Sequence, residues 1–202
     1  MNIASLLFAA LLGFTATAQA QSFTKPAADQ SLPAPSAGKA QIVFIRATDA
    51  FIYKILSWLA EVTPEKDVLI SSMQNKTKVV YETTPGEHLF MSHSPVWTHF
   101  MIANVEAGKR YYVLVRPVHG RGFQMRPLRK DGSTDYNTSL PQFPAWLKDT
   151  ETVETGPDFP PYLARFQAKL DETRAKGWED WKGKSSSQIA ELTLNPADGF
   201  DP

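Results

Sequence analysis

The sequence predicts a mainly β protein: an antiparallel β-sandwich, immunoglobulin-like or transthyretin-like, with a C-terminal amphipathic helix. Two Gly-centred turns, at Pro85-Gly86 and at Gly108, each lead into a run of aromatic and β-branched residues, which is typical of antiparallel strands. Roughly seven or eight such short runs, with turns about every ten residues, follow one another between residues 40 and 128. This spacing favours a sandwich over a parallel α/β sheet.

The individual strands are predicted from short apolar or alternating runs. Residues 41–46 form a continuous apolar strand, and residues 68–73 and 77–84 read as the two arms of a hairpin. Strands are also expected at 87–93, 97–106 and 110–118, with 123–128 as a candidate last strand. Residues 51–62 are ambiguous, because their apolar residues fit helical spacing while the β context favours an extended conformation.

Three turn residues are predicted to be structural. Pro85 presets φ at the second position of a type II turn, and Gly86 accepts positive φ at the third. Gly108 has the same role in the Ala107-Gly108-Lys109 turn. None of these residues carries chemistry.

The amino-terminal residues have the pattern of a cleaved export signal. Residues 3–14 are almost all apolar, and Ala18-Gln19-Ala20 supplies a small-x-small cleavage pattern, so residues 1–20 are predicted to be a signal peptide cut after Ala20. An uncleaved anchor or a buried helix is the alternative. Residues 21–38 are expected to be a flexible linker, and no later segment is apolar enough to span a membrane. The predicted location is the periplasm or the extracellular space.

The domain is predicted to cover residues 39–130 and to be followed by an irregular extension, 131–202, with a helix at about 160–183. The helix begins after Asp158 with Pro160-Pro161 and ends at Gly183. Its apolar stripe comprises Leu163, Phe166, Leu170, Thr173, Gly177, Trp178 and Trp181. We expect the stripe to pack on the sandwich; the alternative is a solvent-facing stripe that binds a partner protein.

Composition excludes several classes of function. The chain has no cysteine, so disulfide scaffolds, thiolate metal sites and cysteine nucleophiles are absent. It has 21 Lys and Arg against 21 Asp and Glu, a balance that gives no overall field to attract nucleic acid. No catalytic motif is recognised, and no cofactor is predicted.

Two groups of side chains are candidate sites. His88, His93 and His99 lie close together in the sequence and would suit zinc or copper on neighbouring strands. No metal site is predicted, however, because no further ligand lies at a recognised spacing and Pro95 breaks the register between them; His88 is expected to bond to the turn it follows. Arg110, Arg116, Arg121, Arg126 and Arg129 occur with few acidic residues between them. They form a patch for carboxylates or phosphates if adjacent strands gather them; the alternative is that they protect solvated strand edges.

Three short segments resemble a known family. They are Ile42-Val43-Phe44-Ile45-Arg46, Pro85-Gly86-Glu87-His88, and the run from Val105 to Val113 with Gly108-Lys109-Arg110-Tyr111-Tyr112. Together they are similar to a family of secreted bacterial proteins classified as a domain of unknown function, of the DUF2846 type. The resemblance covers roughly Lys39 to Pro117. It implies a small exported β-sandwich and no particular activity.

These observations favour an exported, non-enzymatic binding or interaction module of the bacterial cell envelope. Its expected partner is an envelope protein or an anionic ligand. The alternative is an exported hydrolase or carbohydrate-active protein whose site lies under residues 131–161, where isolated aromatic residues would stack on sugar rings.

Overall fold

The computed structural model describes residues 22–47 and 56–202. The predicted signal peptide and the first part of the ambiguous segment 51–62 lie outside these residues. The strands are β1 (Thr24–Pro26), β2 (Ala40–Arg46), β3 (Ser57–Val62), β4 (Asp67–Met73), β5 (Thr77–Thr83), β6 (Gly86–His93), β7 (Thr98–Val105), β8 (Arg110–Pro117), β9 (Phe123–Pro127), β10 (Glu151–Thr155) and β11 (Thr193–Leu194). The helices are α1 (Phe143–Lys148), α2 (Phe159–Arg165), α3 (Gln167–Lys182) and α4 (Ser186–Glu191), followed by a 3-10 turn at Pro196–Asp198.

The strands form two sheets, as expected for a mainly β sandwich. The first sheet has six strands in the order β1-β10-β5-β2-β8-β9, and the second has five in the order β11-β7-β6-β3-β4. The central strand β2 is buried along its whole length, which explains its continuous apolar sequence. No helix among the described residues is long and apolar enough to cross a membrane.

The core lies between the inner faces of the two sheets. Alternate residues of each strand point inward, so Phe44 from the first sheet meets Phe90 from the second, with their ring centroids 5.6 Å apart. The outer face of the second sheet carries another buried cluster, including Ala60, Met91 and Phe100, which Trp181 of α3 covers. Helix α3 is therefore a third layer.

The expectation of a purely antiparallel sandwich is wrong in one respect. Three strand pairs are parallel: β2 with β8, β5 with β10, and β7 with β11. Between β2 and β8 the chain passes through the second sheet. In each of the other two pairs, a short strand from the later part of the chain lies beside a strand from the earlier part.

The predicted hairpin of residues 68–73 and 77–84 is not formed. Its arms, β4 and β5, lie in different sheets, and β4 pairs instead with β3. The turn at Gln74-Asn75-Lys76 therefore carries the chain from one sheet to the other, with Lys76 at a φ of 57°. Residues 57–62 form β3, so an extended conformation holds for this part of the ambiguous segment.

The two Gly-centred turns also cross between the sheets. Gly86 begins β6 with a φ of 125°, just after β5 has ended in the opposite sheet. Gly108 has a φ of 77° and joins β7 to β8, again from one sheet to the other. Both values lie where a β-carbon is disfavoured.

The predicted linker is part of the folded domain. Within residues 21–38, β1 pairs with β10 and becomes the edge of the first sheet. The Ser22 backbone N–H donates to Asp158 Oδ2 at 2.7 Å, and Gln30 exchanges hydrogen bonds with the backbone of Thr152. These contacts were not foreseen because their partners lie more than a hundred residues further along the chain.

The extension after residue 130 is also more regular than predicted. It supplies β10 to the first sheet and β11 to the second, so the sandwich does not end at residue 130. The predicted helix is two helices, α2 and α3, which meet at Phe166. Asp158 occupies the N-cap position of α2 but makes no side-chain cap hydrogen bond, because its carboxylate contacts Ser22 instead.

Part of the apolar stripe of α3 packs on the second sheet. Leu170, Thr173, Gly177 and Trp181 are buried, whereas Phe166 and Trp178 are 47% and 38% exposed. Gly177 allows a close approach, since a β-carbon there would lie well inside 3.0 Å of the Thr98 carbonyl oxygen. This approach brings α3 against the sheet, and the space beside it forms the groove described below.

Candidate functional site

His88 lies at one end of the sandwich, beside the bend that follows β5. Its Nδ1 is 2.5 Å from Glu61 Oε1, and its Nε2 is 2.8 Å from the Thr84 carbonyl oxygen. The other carboxylate oxygen of Glu61 accepts a hydrogen bond from the Tyr81 hydroxyl at 2.6 Å. His88 of β6 is thus connected through Glu61 of β3 to Tyr81 of β5. Because both of its ring nitrogens already contact acceptors, neither is available to a metal.

His93 and His99 lie on the two arms of the β6–β7 hairpin but on opposite faces of their sheet. In this register His93 pairs with Thr98, whereas His99 pairs with Ser92. Although both residue numbers are odd, the turn between the two strands puts the side chains on opposite faces of the sheet. His93 contacts α3, and His99 contacts the turn before β9. The three histidines do not come together, and no metal-binding group of three His, Cys, Asp or Glu occurs among the described residues.

The five arginines of the predicted anion patch are also dispersed. Arg110 is buried and donates to Gln41 Oε1 at 2.5 Å and to two carbonyl oxygens of the N-terminal segment. Arg129 is buried in an ion pair with Asp198 at 2.7 Å and donates to two carbonyl oxygens near β11. Both guanidinium groups hold distant segments together and are not open to a ligand.

Arg116 and Arg126 are the two arginines that meet. Each donates to Gln124 Oε1 at 3.0 Å, and each lies about 5 Å from the centre of the Tyr136 ring. Arg126 is also paired with Glu191 at 2.8 Å. The fifth arginine, Arg121, is separate: it lies in the β8–β9 turn and pairs with Asp180 of α3. The patch is thus reduced to one pair that already has an acidic neighbour.

A better-formed site lies between α3 and the outer face of the second sheet. It is a cavity of about 280 Å³, which we call the helix–sheet groove. Strands β3, β4 and β6 form its floor, and α2 and α3 form its wall. Its lining residues are Trp58, Ala60, Asp67, Leu69, Met91, His93, Leu163, Gln167, Leu170, Asp171 and Arg174.

The floor of the groove is built on an aromatic stack. Trp58 and His93 face each other from adjacent strands, with ring centroids 4.8 Å apart and planes within 10° of parallel. On its other side Trp58 packs edge-on against Phe159 of α2. Since His93 is only 3% exposed, its orientation is fixed by packing on one side and by its contact with α3 on the other.

The charge state of His93 follows from its surroundings. The pKa of His93 is lowered to about 4, mainly by burial and also by the nearby Arg174 guanidinium, while the Asp171 carboxylate acts in the opposite direction. The imidazole is therefore neutral at ordinary pH. A neutral imidazole has one N–H donor and one nitrogen acceptor.

Two charged groups clamp the mouth of the groove. Arg174 on α3 forms a two-point ion pair with Asp67 on β4, with Nε 2.9 Å from Oδ2 and Nη2 3.1 Å from Oδ1. Asp171, one turn earlier on α3, accepts a hydrogen bond from Gln167 at 2.8 Å. The groove thus combines apolar walls with a few polar groups, which is the usual composition of a ligand site.

The segment 131–161 also borders two clefts. One, of about 270 Å³, lies beside Tyr136 and includes Arg126 and Glu191, which are paired with each other. The other, of about 430 Å³, lies beside Trp146. The expected hydrolase site under this segment stays a prediction.

Compared with protein-family models, curated proteins and solved structures, the chain matches none of them. The resemblance to the DUF2846-type family remains a sequence-based expectation. The site is therefore interpreted from its own geometry.

Most residues of the helix–sheet groove were missed by the sequence analysis. Trp58 lies within the ambiguous segment 51–62, and Asp67, Asp171 and Arg174 look like ordinary surface charges in the sequence. Leu163 and Leu170 were found as part of the helical stripe. A helical stripe does not show which strands it will cover, so the sequence alone could not bring these residues together.

Proposed function

We propose that this protein is an exported binding module of the bacterial cell envelope and that it holds its ligand in the helix–sheet groove. The observation that carries the proposal is the stacked Trp58–His93 floor, set among apolar walls and beside the Asp67–Arg174 clamp. Apolar surface with a few fixed polar groups supports binding and orientation of a ligand. Immunoglobulin-like or transthyretin-like architecture stays a prediction.

Export is supported by the apolar run of residues 3–14 and by the Ala18-Gln19-Ala20 cleavage pattern. Mass spectrometry of the mature protein is expected to find Gln21, or its cyclised form, at the amino terminus. The first described residue, Ser22, is already bonded to Asp158, so the mature chain would begin directly at the fold. Recovery of intact Met1 from the cytosol would contradict this half of the proposal.

The binding half is tested by nuclear magnetic resonance with a set of small aromatic and aliphatic fragments. We expect the shift changes to cluster at the Trp58 indole and at His93. The variant Gln167→Trp places a large ring at the wall of the groove and should abolish these changes. Ala168→Trp adds the same ring at the next, exposed position of α3 and should leave them intact.

Shift changes that cluster instead at Tyr136 or Trp146 would overturn the choice of site. They would then favour the alternative, a carbohydrate-active protein with its site under residues 131–161. An absence of shift changes at millimolar fragment concentrations would overturn the binding role of the groove.

A further inference from the structure

The protonation of His93 follows from its hydrogen bond with α3. The Thr173 hydroxyl donates to the carbonyl oxygens of the preceding helical turn, at 3.0 Å for Leu170 and 3.2 Å for Lys169, a common arrangement for threonine in a helix. Its oxygen therefore accepts the hydrogen bond from His93 Nε2, 2.7 Å away. The ring proton lies on Nε2.

The other ring nitrogen is then an acceptor. In the neutral tautomer His93 Nδ1 carries a lone pair, and within the described parts of the chain it has no hydrogen bond to the protein. The reverse arrangement, with Thr173 donating to Nε2, would give up its bonds to the helix and leave an N–H on Nδ1 without an acceptor. The hydrogen-bond network thus favours an unused acceptor at the floor of the groove.

The charged groups around the groove also favour a ligand that donates hydrogen bonds, and one that is positively charged. Two carboxylates, Asp67 and Asp171, face a single cation, Arg174, which gives a formal balance of −1. Arg174 is paired with both oxygens of Asp67, so its charge is already offset and attracts an anionic ligand only weakly. Asp171 is bonded only to the neutral Gln167 side chain and keeps the capacity to accept from a cation.

The size and the walls define the rest of the ligand. The cavity of about 280 Å³ is slightly smaller than the usual range of small-molecule sites, about 300–1,000 Å³. Its apolar lining includes Leu69, Leu163 and Leu170 beside Trp58. The occupant is therefore a group the size of one ring or one amino-acid side chain.

We propose that the helix–sheet groove binds a small ammonium group carried on an apolar body, with N–H donors directed to His93 Nδ1 and to the Asp171 carboxylate. This inference rests on the proposed function, because it names the ligand class of the same site. The apolar body packs against the leucine side chains while the cation offsets the formal charge of the groove. Both a free amine and the lysine side chain of a peptide have this chemistry.

Three probes with the same ring test the ligand class: benzylamine, benzyl alcohol and benzoate. Titration followed by nuclear magnetic resonance should give benzylamine an affinity about tenfold or more above that of the other two, because its hydrogen bonds are charge-assisted. A parallel titration with N-acetyl-lysine-methylamide compares a lysine side chain with the free amine. Tighter binding of one identifies the source of the ammonium group.

Matched variants on α3 test the role of Asp171. Asp171→Asn should lower the affinity for benzylamine about tenfold and leave that for benzyl alcohol unchanged. Glu172→Gln is the control, because Glu172 is the adjacent acid and pairs with Lys169 and Lys176 on the solvent face. Both changes are at exposed positions, so we expect both variants to fold normally.

The possible outcomes separate the ligand class from the site. If benzoate or benzyl alcohol binds as tightly as benzylamine and perturbs Trp58, the ligand class is wrong and the groove remains the site. Benzylamine binding that is unaffected by Asp171→Asn also overturns the ligand class. If none of the probes perturbs Trp58 or His93, the groove is not a binding site for these ligands and the proposed function itself fails.

Discussion

Two buried histidines, His93 and His99, give the protein a pH-dependent stability. Burial lowers the pKa of each to about 4, against about 6.5 in an unfolded chain. Between these values the unfolded chain binds protons that the native protein does not, so the free energy of unfolding falls as the pH is lowered from 6.5 to 4. Each residue contributes on the order of 3 kcal/mol over this window. Urea unfolding at pH 7.5, 6 and 5 measures the loss.

Comparing variants separates the effect of these histidines on the free energy of unfolding from the effect of other groups that titrate in acid. His93→Gln and His99→Gln should each flatten the dependence of unfolding free energy on pH. His119 is exposed on the turn between β8 and β9, so His119→Gln should keep the full dependence. If His93→Gln loses stability with pH as steeply as the unchanged protein, His93 is not held neutral in the native state.

The arginines show what can be predicted at the scale of single residues. Their abundance between Arg110 and Arg129 was visible in the sequence, where it predicted a patch for anionic ligands or the protection of strand edges. In the structure the buried ones bond instead to groups far along the chain, such as Asp198 for Arg129. Residue type sets what a side chain can bond to, whereas the fold decides which partner it meets.

At the scale of elements, Gly177 determines how closely α3 packs on β7. At an exposed helical position, replacing Gly by Ala stabilises a protein by about 1 kcal/mol. Here the added β-carbon would meet the Thr98 carbonyl oxygen, and such overpacking costs about 1–3 kcal/mol. We therefore expect Gly177→Ala to lower the free energy of unfolding, as measured by urea denaturation followed by tryptophan fluorescence.

Gly183 supplies the matched control at the end of the same helix. Its φ is −80°, and the nearest atoms to an added β-carbon are 3.6 Å away, so Gly183→Ala should change stability by less than about 0.5 kcal/mol. A stabilised Gly177→Ala variant would show that α3 can move away from β7 without cost.

The break between α2 and α3 lowers the contribution to stability that we expect from Phe166. The sequence stripe places Phe166 in the core, but the structure leaves it 47% exposed, in contact with Tyr162. Phe166→Ala should therefore cost less than about 1 kcal/mol. Leu170→Ala, at a position only 7% exposed, should cost about 2–5 kcal/mol. Equal costs in denaturant unfolding would contradict this arrangement of the helix.

Strand positions could be predicted well, but strand partners could not. Alternation and turn residues indicate where a strand begins and which side chains share a face. They carry little information on whether the next strand lies in the same sheet. At Gln74-Asn75-Lys76 a short turn looks like a hairpin and instead crosses the sandwich. The helix–sheet groove could not be predicted for the same reason, because it depends on which strands α3 covers.

For the whole molecule, the class was predictable and the limits of the domain were not. A mainly β sandwich follows from many short apolar runs that need two layers to bury them. Residues 21–38 and 131–202 lack such runs and were interpreted as additions. In the structure, β1 and β10 complete the first sheet and β11 extends the second. Strands this short have too few residues to show an alternating pattern in the sequence. Their positions depend on the strands with which they pair.

Because β1, β10 and β11 belong to the two sheets, we expect the chain from residue 22 to 202 to unfold as one unit. For the same reason, we expect a chain ending at residue 130 not to fold. The shortened chain would lose β10 from beside β5 and the Phe200 backbone bridge to Arg110. It would also leave Arg129 without Asp198, and removing one partner of a buried ion pair alone costs about 3–5 kcal/mol. That loss is comparable with the total stability of many domains, about 5–15 kcal/mol.

Circular dichroism and tryptophan fluorescence should report the same urea midpoint for the chain from residue 22 to 202, since Trp58 and Trp97 precede residue 130 and Trp146, Trp178 and Trp181 follow it. The control is a chain that ends at Phe200. It loses only the exposed Asp201–Lys109 pair, whose Asp201 side chain is 84% exposed, so its midpoint should stay almost unchanged. A cooperative transition in the chain that ends at residue 130 would show that residues 39–130 fold alone, and that the later strands attach to a completed sandwich.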